Sequence, residues 1–268
     1  MEKVGILEIL DSIRNIYSFL GQPDNLPEGK AIIAVSCNWY DVHGKDRVIK
    51  KLYSKFNPEK LLLASGIGRF SSKKAREMGG ESYELKERLV ERGLPEEILN
   101  TYTGGKFTTD NIDWILASAK DTKYNNIIVP EEAYLAQRVR ATFDARKTKF
   151  HPDAKVSVIP VHNLEEYLSL HKTDAAYFYL VGEGDRLRDY SDPQRPGPNV
   201  FSHESAFRGA EKFGGVEKLT DDFEKIRNTY DNKKLKEILD SDKALDYFAP
   251  RETFLILLKN SILNPKIL

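Results

Sequence analysis

The sequence predicts an α/β fold in which a parallel β-sheet is covered by helices on both faces. Two observations carry this expectation. Short apolar runs rich in β-branched residues recur at 31–36, 60–65, 126–130 and 155–161, with a weaker run at 98–102, and stretches of helical periodicity separate them. The runs are continuously apolar. A sheet open to water on one side would carry polar residues at every second position, so these strands are expected to be buried on both faces. The expected architecture is a doubly wound, Rossmann-like, three-layer sandwich with a C-terminal helical addition.

Taken in order, Ile6, Ile9, Leu10, Ile13, Ile16, Tyr17 and Leu20 fall at helical spacing, so residues 4–20 read as an amphipathic helix that ends near Gly21 and Pro23. Further helices are expected at 46–56, 73–92, 109–120 and 131–146, between the strands, and at 163–171 after the last one. Beyond Tyr179 the chain carries Gly182, Gly184, Pro193, Pro196, Gly197 and Pro198 among charges, which reads as a long ordered loop or lid. Phe223, Ile226 and Tyr230, then Phe254, Ile256, Leu257, Leu258 and Ile262, imply several helices after Ser205. The expected division is a core over 1–204 and a helical extension over 205–268 packed on it.

A chain of 268 residues with 40% hydrophobic content can bury one sizeable core. Its 41 basic and 41 acidic residues cancel, so no global field favours nucleic acid or an anionic membrane. Cys37 has no cysteine partner, which excludes an intrachain disulfide and fits a reducing, cytoplasmic setting. The longest apolar runs, Ala31 to Val35 and Leu61 to Ala64, fall far short of the roughly 20 residues a membrane helix needs. The N-terminal pattern is broken by Asp11, Ser12 and Arg14, so no secretion signal is expected. Neither the five histidines nor Cys37 shows metal-ligand spacing, and no metal site is expected. There is no Gly-x-Ser-x-Gly elbow and no Walker loop.

In an open parallel sheet, ligands bind beyond the C-terminal strand ends, where helix N-termini converge with their partial positive charge. The segments following the strands are therefore the candidates. They are Ser36, Cys37 and Asn38; Ser65 to Ser72; Thr103 to Asn111; and Pro130, Glu131 and Glu132. Ser65-Gly66-Ile67-Gly68-Arg69 is the sharpest of these, because two glycines let backbone N–H groups turn inward while Arg69 can meet a phosphate or carboxylate at two points. A tight structural turn would look similar. The segment is not a dinucleotide fingerprint: Ser71 stands at the third glycine position, and no acidic ribose-binding residue follows at the right distance. Thr109, Asp110 and Asn111 open a helix, where they can cap it or contact a ligand. One of Arg138 and Arg140 is expected near the sheet edge, facing an acidic ligand.

The chain resembles the SanA/ElyC/YdcF family, and most closely its soluble YdcF-like branch. The resemblance runs in order through Leu63-Ala64-Ser65-Gly66-Ile67-Gly68, Gly80-Glu81, Arg92-Gly93-Leu94-Pro95-Glu96-Glu97, Thr109-Asp110-Asn111, Gln137-Arg138-x-Arg140-Ala141-Thr142-Phe143, Glu166-Tyr167-Leu168 and Gly182-Glu183-x-x-Arg186 to Asp192. The chain departs from the family at Gly105-Lys106-Phe107, where Ser-Thr-Asn is usual, and at Asp110, where the acid is one methylene shorter. The resemblance implies a Rossmann-like sheet with a ligand cleft, and S-adenosylmethionine as the ligand of the YdcF-like branch. It implies Asn38, Ser65, Gly66, Gly68 and Arg69 near the ligand's charged or ribose portion, with Glu81, Asp110 and Asn111 as acceptors. The protein would then be a binding protein or a transferase for S-adenosylmethionine. A second expectation is a hydrolase or transferase for a phosphorylated small molecule or nucleotide, in which Arg69 or Arg138 holds phosphate and Glu81 or Asp110 acts as base. A third is a non-catalytic module that recruits a protein through the C-terminal helices and the 189–198 loop.

Overall fold

The structure is a computed structural model that describes residues 6–36, 42–68, 71–105, 107–122, 124–194 and 200–241. Asn38, Arg69 and the apolar pattern at 254–262 lie outside the described residues. Helix α1 (Ile6–Leu20) leads into an alternation of β1 (Ile32–Ser36), α2 (Val42–Phe56), β2 (Leu61–Ala64), α3 (Lys73–Met78), α4 (Glu81–Glu91), β3 (Leu99–Tyr102), α5 (Thr108–Asp121), β4 (Asn126–Glu131), α6 (Ala133–Phe150) and β5 (Lys155–Pro160). Helices α7 (Leu164–Leu170), α8 (Thr173–Ser191), α9 (His203–Ala206), α10 (Gly215–Arg227) and α11 (Asn232–Leu239) follow.

The five strands form one sheet in the order β3-β2-β1-β4-β5, with every pairing parallel. In β1 the alternation of side chains sorts apolar residues between two cores. Ile32 and Ala34 face α1, α5 and α6, while Ile33 and Val35 face Ile49 of α2 and Leu85 and Leu89 of α4. Both faces are apolar because both are covered, which is why the strands read as unbroken runs. The weak run at 98–102 is an edge strand, β3, and three of its four residues are only half-buried.

Two helical expectations need correction. The predicted helix over 73–92 is two helices, because Gly79 adopts φ 84°, a left-handed conformation that closes α3, and α4 restarts two residues later. The first part of the predicted loop is helix, since α8 runs through Gly182 and Gly184 to Ser191; residues 192–194 are not helical, and 195–199 lie outside the described residues. Gly184 serves packing rather than chain breaking, since a Cβ there would stand 2.6 Å from the Phe223 ring of α10. Gly184→Ala is expected to lower stability by about 1–3 kcal/mol through overpacking. A urea midpoint equal to that of the parent would show that Phe223 moves aside freely.

The described part of the C-terminal addition is tied to the core by a polar contact as well as by apolar packing. Asp222 of α10 is fully buried and accepts hydrogen bonds from Ser12 and Asn15 of α1, each at 2.7 Å, and from Lys218.

Candidate functional site

Strand order reverses between β1 and β4, and the C-terminal edge of the sheet is where the predicted segments must meet if they form a site. The loop after β2 is drawn inward by Glu81, the first residue of α4. Its carboxylate is buried and accepts from Ser65 Oγ at 2.7 Å and from Ser71 Oγ at 2.6 Å. Ser71 Oγ in turn accepts from the Gly68 N–H at 2.7 Å, and Arg76 donates to the Gly68 carbonyl at 3.1 Å. Both Glu81 oxygens therefore receive protein hydroxyls, so Glu81 shapes the loop from beneath. Ser65 and Gly66 are buried, while Gly68 and Ile67 are exposed at the tip.

The loops after β2 and β3 touch. The Gly66 Cα lies against the Thr103 and Gly105 carbonyls, and Gly105 packs so tightly on Asn111 that a Cβ there would stand 2.0 Å from Asn111 Oδ1. Asn111 is 7% exposed, and its Oδ1 has no hydrogen-bond partner among the described residues. Asp110 accepts from the Phe107 N–H at 3.1 Å, so it caps α5. Capping is one of the two roles open to it, and one residue can serve both.

Beside the start of α5 lies a cleft of about 340 Å³, lined by Phe107, Thr108, Thr109, Arg138, Thr142, Tyr190 and Val200. Phe107 is 70% exposed at its rim. Arg138, on the second turn of α6, donates to Thr108 Oγ1 at 3.2 Å and to Glu183 of α8 at 2.6 and 3.4 Å. Glu183 also accepts from Arg186 at 2.5 Å, so one carboxylate is shared between two guanidinium groups. Burial works against the Arg138 charge, but Glu183 outweighs it and holds the guanidinium proton more tightly than usual, with smaller help from Tyr190 and Glu131.

Of the predicted residues, Thr109 and Arg138 line the cleft, Ser65, Gly68 and Glu81 are joined by hydrogen bonds in the loop after β2, Gly66 meets the loop after β3, in which Gly105 packs on Asn111, Asp110 caps α5, and Ile67 is exposed at the loop tip. Arg140 is placed elsewhere. It is buried and donates to Asp24 at 2.9 Å and to the Gln137 side chain at 2.5 Å, fastening the chain after α1 to α6. The reason is helical geometry: residues two apart on α6 point in opposite directions, so only one of the two arginines can face the cleft.

Sequence reasoning placed Glu131 and Glu132 among its candidates but missed the buried cluster they form with Lys45 and His162 at the switch point. Lys45 of α2 donates to Glu131 at 2.5 Å and to the Ser36 carbonyl at 2.9 Å. Next to it, His162 Nδ1 lies 2.7 and 2.9 Å from the two Glu132 oxygens. All four side chains are at most 3% exposed. His162 Nε2 has no hydrogen-bond partner among the described residues and abuts Gly44, where a Cβ would stand 2.3 Å away. The signal in the sequence was the pair Glu131-Glu132 at the end of a strand in which Ile127 to Pro130 are apolar.

Among the described residues, no group of three or more His, Cys, Asp or Glu side chains is placed to hold a metal ion, and no helix is long and apolar enough to cross a membrane. No protein-family model, curated protein or solved structure matches the chain.

Proposed function

We propose that this chain binds a small molecule that joins a flat aromatic group to a charged one, with S-adenosylmethionine as the first candidate, in the cleft beside α5 and α6. The observation that carries this reading is the division of the cleft lining. Phe107, Tyr190 and Val200 supply apolar and stacking surface, while Arg138, Thr108, Thr109 and the N-terminus of α5 supply donors for a carboxylate. The resemblance to the YdcF-like branch supports the choice of ligand.

Arg138, Thr108 and Thr109 would hold the carboxylate, and Phe107 with Tyr190 would face the adenine. When bound, S-adenosylmethionine supplies an electrophilic methyl group on its sulfonium. Glu81 keeps the adjoining loop in place, and Arg138 is kept charged by Glu183.

Calorimetric titration tests this. S-adenosylmethionine is expected to bind the parent protein, and Arg138→Ala is expected to weaken binding by about tenfold or more, or 1.4 kcal/mol. The variant should fold, because Glu183 keeps Arg186. Equal affinity in the two proteins would remove the cleft from the site.

A phosphorylated small molecule is the second reading, favoured by the two arginines that share Glu183 beside a helix N-terminus. Parallel titration with adenosine monophosphate and inorganic phosphate separates the two. Response to the phosphates without response to S-adenosylmethionine would select the second.

A further inference from the structure

Glu183 is buried between two arginines of unequal exposure. It accepts from Nε and Nη2 of Arg138 at 2.6 and 3.4 Å, and Arg138 Nη1 donates to Thr108 Oγ1 at 3.2 Å. Nη1 and Nη2 each carry a second N–H. Those two groups have no partner among the described residues, so Arg138 keeps one end of its guanidinium for a two-point contact with an oxyanion in the cleft that it lines. Arg186, on the other side of Glu183, is 45% exposed and is absent from the cleft lining.

The charge of this triad limits what the cleft can hold. Arg138 and Arg186 bring two positive charges and Glu183 removes one, which leaves a single net positive charge beside the cleft. On the opposite wall, Asp110 in the first turn of α5 offsets the partial positive charge of that helix N-terminus. One carboxylate matches this surplus. A phosphate monoester is a dianion above its second pKa of about 6, and its further negative charge would face Glu183 with no cation left to meet it.

We infer that Glu183 is a specificity-determining residue of the cleft, which selects a ligand ending in a carboxylate over one ending in a phosphate dianion. This selection rests on the cleft being the ligand site, and it works by repulsion: the field of Glu183 acts on each ligand charge, so a dianion loses more than a monoanion. Arg186 cancels that field only in part, because its exposed guanidinium is screened by water. The two arginines are thus not a pair of phosphate ligands. Both turn N–H groups toward Glu183, and Arg138 alone has an end left for the ligand.

Calorimetric titration of the full chain and of two variants, Glu183→Gln and Arg186→Ala, with S-adenosylmethionine and with adenosine monophosphate tests this at about pH 8, where the phosphate is doubly charged. The parent is expected to bind S-adenosylmethionine the more tightly. Glutamine keeps the shape of Glu183 and an oxygen for Arg138 but removes the charge. Glu183→Gln should therefore tighten adenosine monophosphate by about tenfold and leave S-adenosylmethionine, whose carboxylate travels with an ammonium and a sulfonium, within about twofold. Arg186→Ala, at an exposed position, should weaken adenosine monophosphate by about threefold and change S-adenosylmethionine less. If Glu183 merely positions Arg138, Glu183→Gln weakens both ligands alike, and that result overturns the proposal, as does a parent that prefers adenosine monophosphate. Should Glu183→Gln fail to fold, Arg186→Ala decides, and an unchanged ratio of the two affinities overturns the proposal. Binding with an unchanged ratio in every variant removes the selection and leaves the cleft as a ligand site, whereas no binding of either ligand by any of the three proteins removes both.

Discussion

Lys45→Met is expected to lower the stability of this protein by about 3–5 kcal/mol, the usual cost of leaving one partner of a buried ion pair without the other. Lys45 is fully buried, and its ammonium meets Glu131 and the Ser36 carbonyl at the C-terminal ends of β4 and β1. Methionine has nearly the length of lysine and brings no charge, so the change acts on electrostatics more than on packing. Glu131 then keeps only the Glu132 N–H, at 3.0 Å, among the contacts found for its carboxylate. The double variant Lys45→Met with Glu131→Gln removes the stranded charge and should recover part of the loss. Urea denaturation of the four proteins of this cycle measures the coupling directly. A single-variant cost under about 1 kcal/mol would mean that the pair contributes no more than a solvated surface pair does.

Replacing His162 by leucine is expected to be nearly as damaging near pH 6, and the damage should shrink as the pH rises. Burial opposes the His162 charge, but the Glu132 carboxylate outweighs it and raises the imidazole above its ordinary 6.5. Burial likewise favours protonated Glu132, but His162 outweighs it and lowers the carboxyl below its ordinary 4.5. A raised imidazole contributes stability that is fully present below 6.5 and is lost as pH climbs through the folded-state value. The lowered carboxyl contributes stability present above 4.5 and lost as pH falls through its own folded-state value. The pair therefore stabilises most between the two ordinary values. The difference in Tm between parent and His162→Leu should be largest there and narrow on either side. A difference that does not change with pH would show that the His162–Glu132 pair takes up and releases protons equally in the folded and unfolded states.

Most of the fold was legible because burial on both faces leaves a plain mark: Ile32 to Val35, Leu61 to Ala64 and Ile127 to Val129 need no polar positions. The errors arose where glycine has more than one use. Gly79 ends a helix, as its composition implies, but Gly184 lies inside one because Phe223 needs the space. Nothing local distinguishes these two cases. Within the site, Ser65, Ser71 and Glu81 could be grouped because 16 residues or fewer separate them along the stretch from β2 through the short α3 to the start of α4. Lys45 and Glu131 are 86 residues apart, and their contact depends on the crossover that sets β4 beside β1. Charge pairs of that kind become visible only when strand order is known.

Helix α8 has a part in two regions at once. Near its middle, Gly184 receives Phe223 from α10, and at its end Tyr190 forms part of the cleft wall. Glu183, directly before Gly184, anchors Arg138. Cutting the chain after residue 204 would thus not be a neutral excision. The brace behind Gly184 would go with it, and a loss of ligand capture in such a fragment would report a loosened wall as readily as a missing contact.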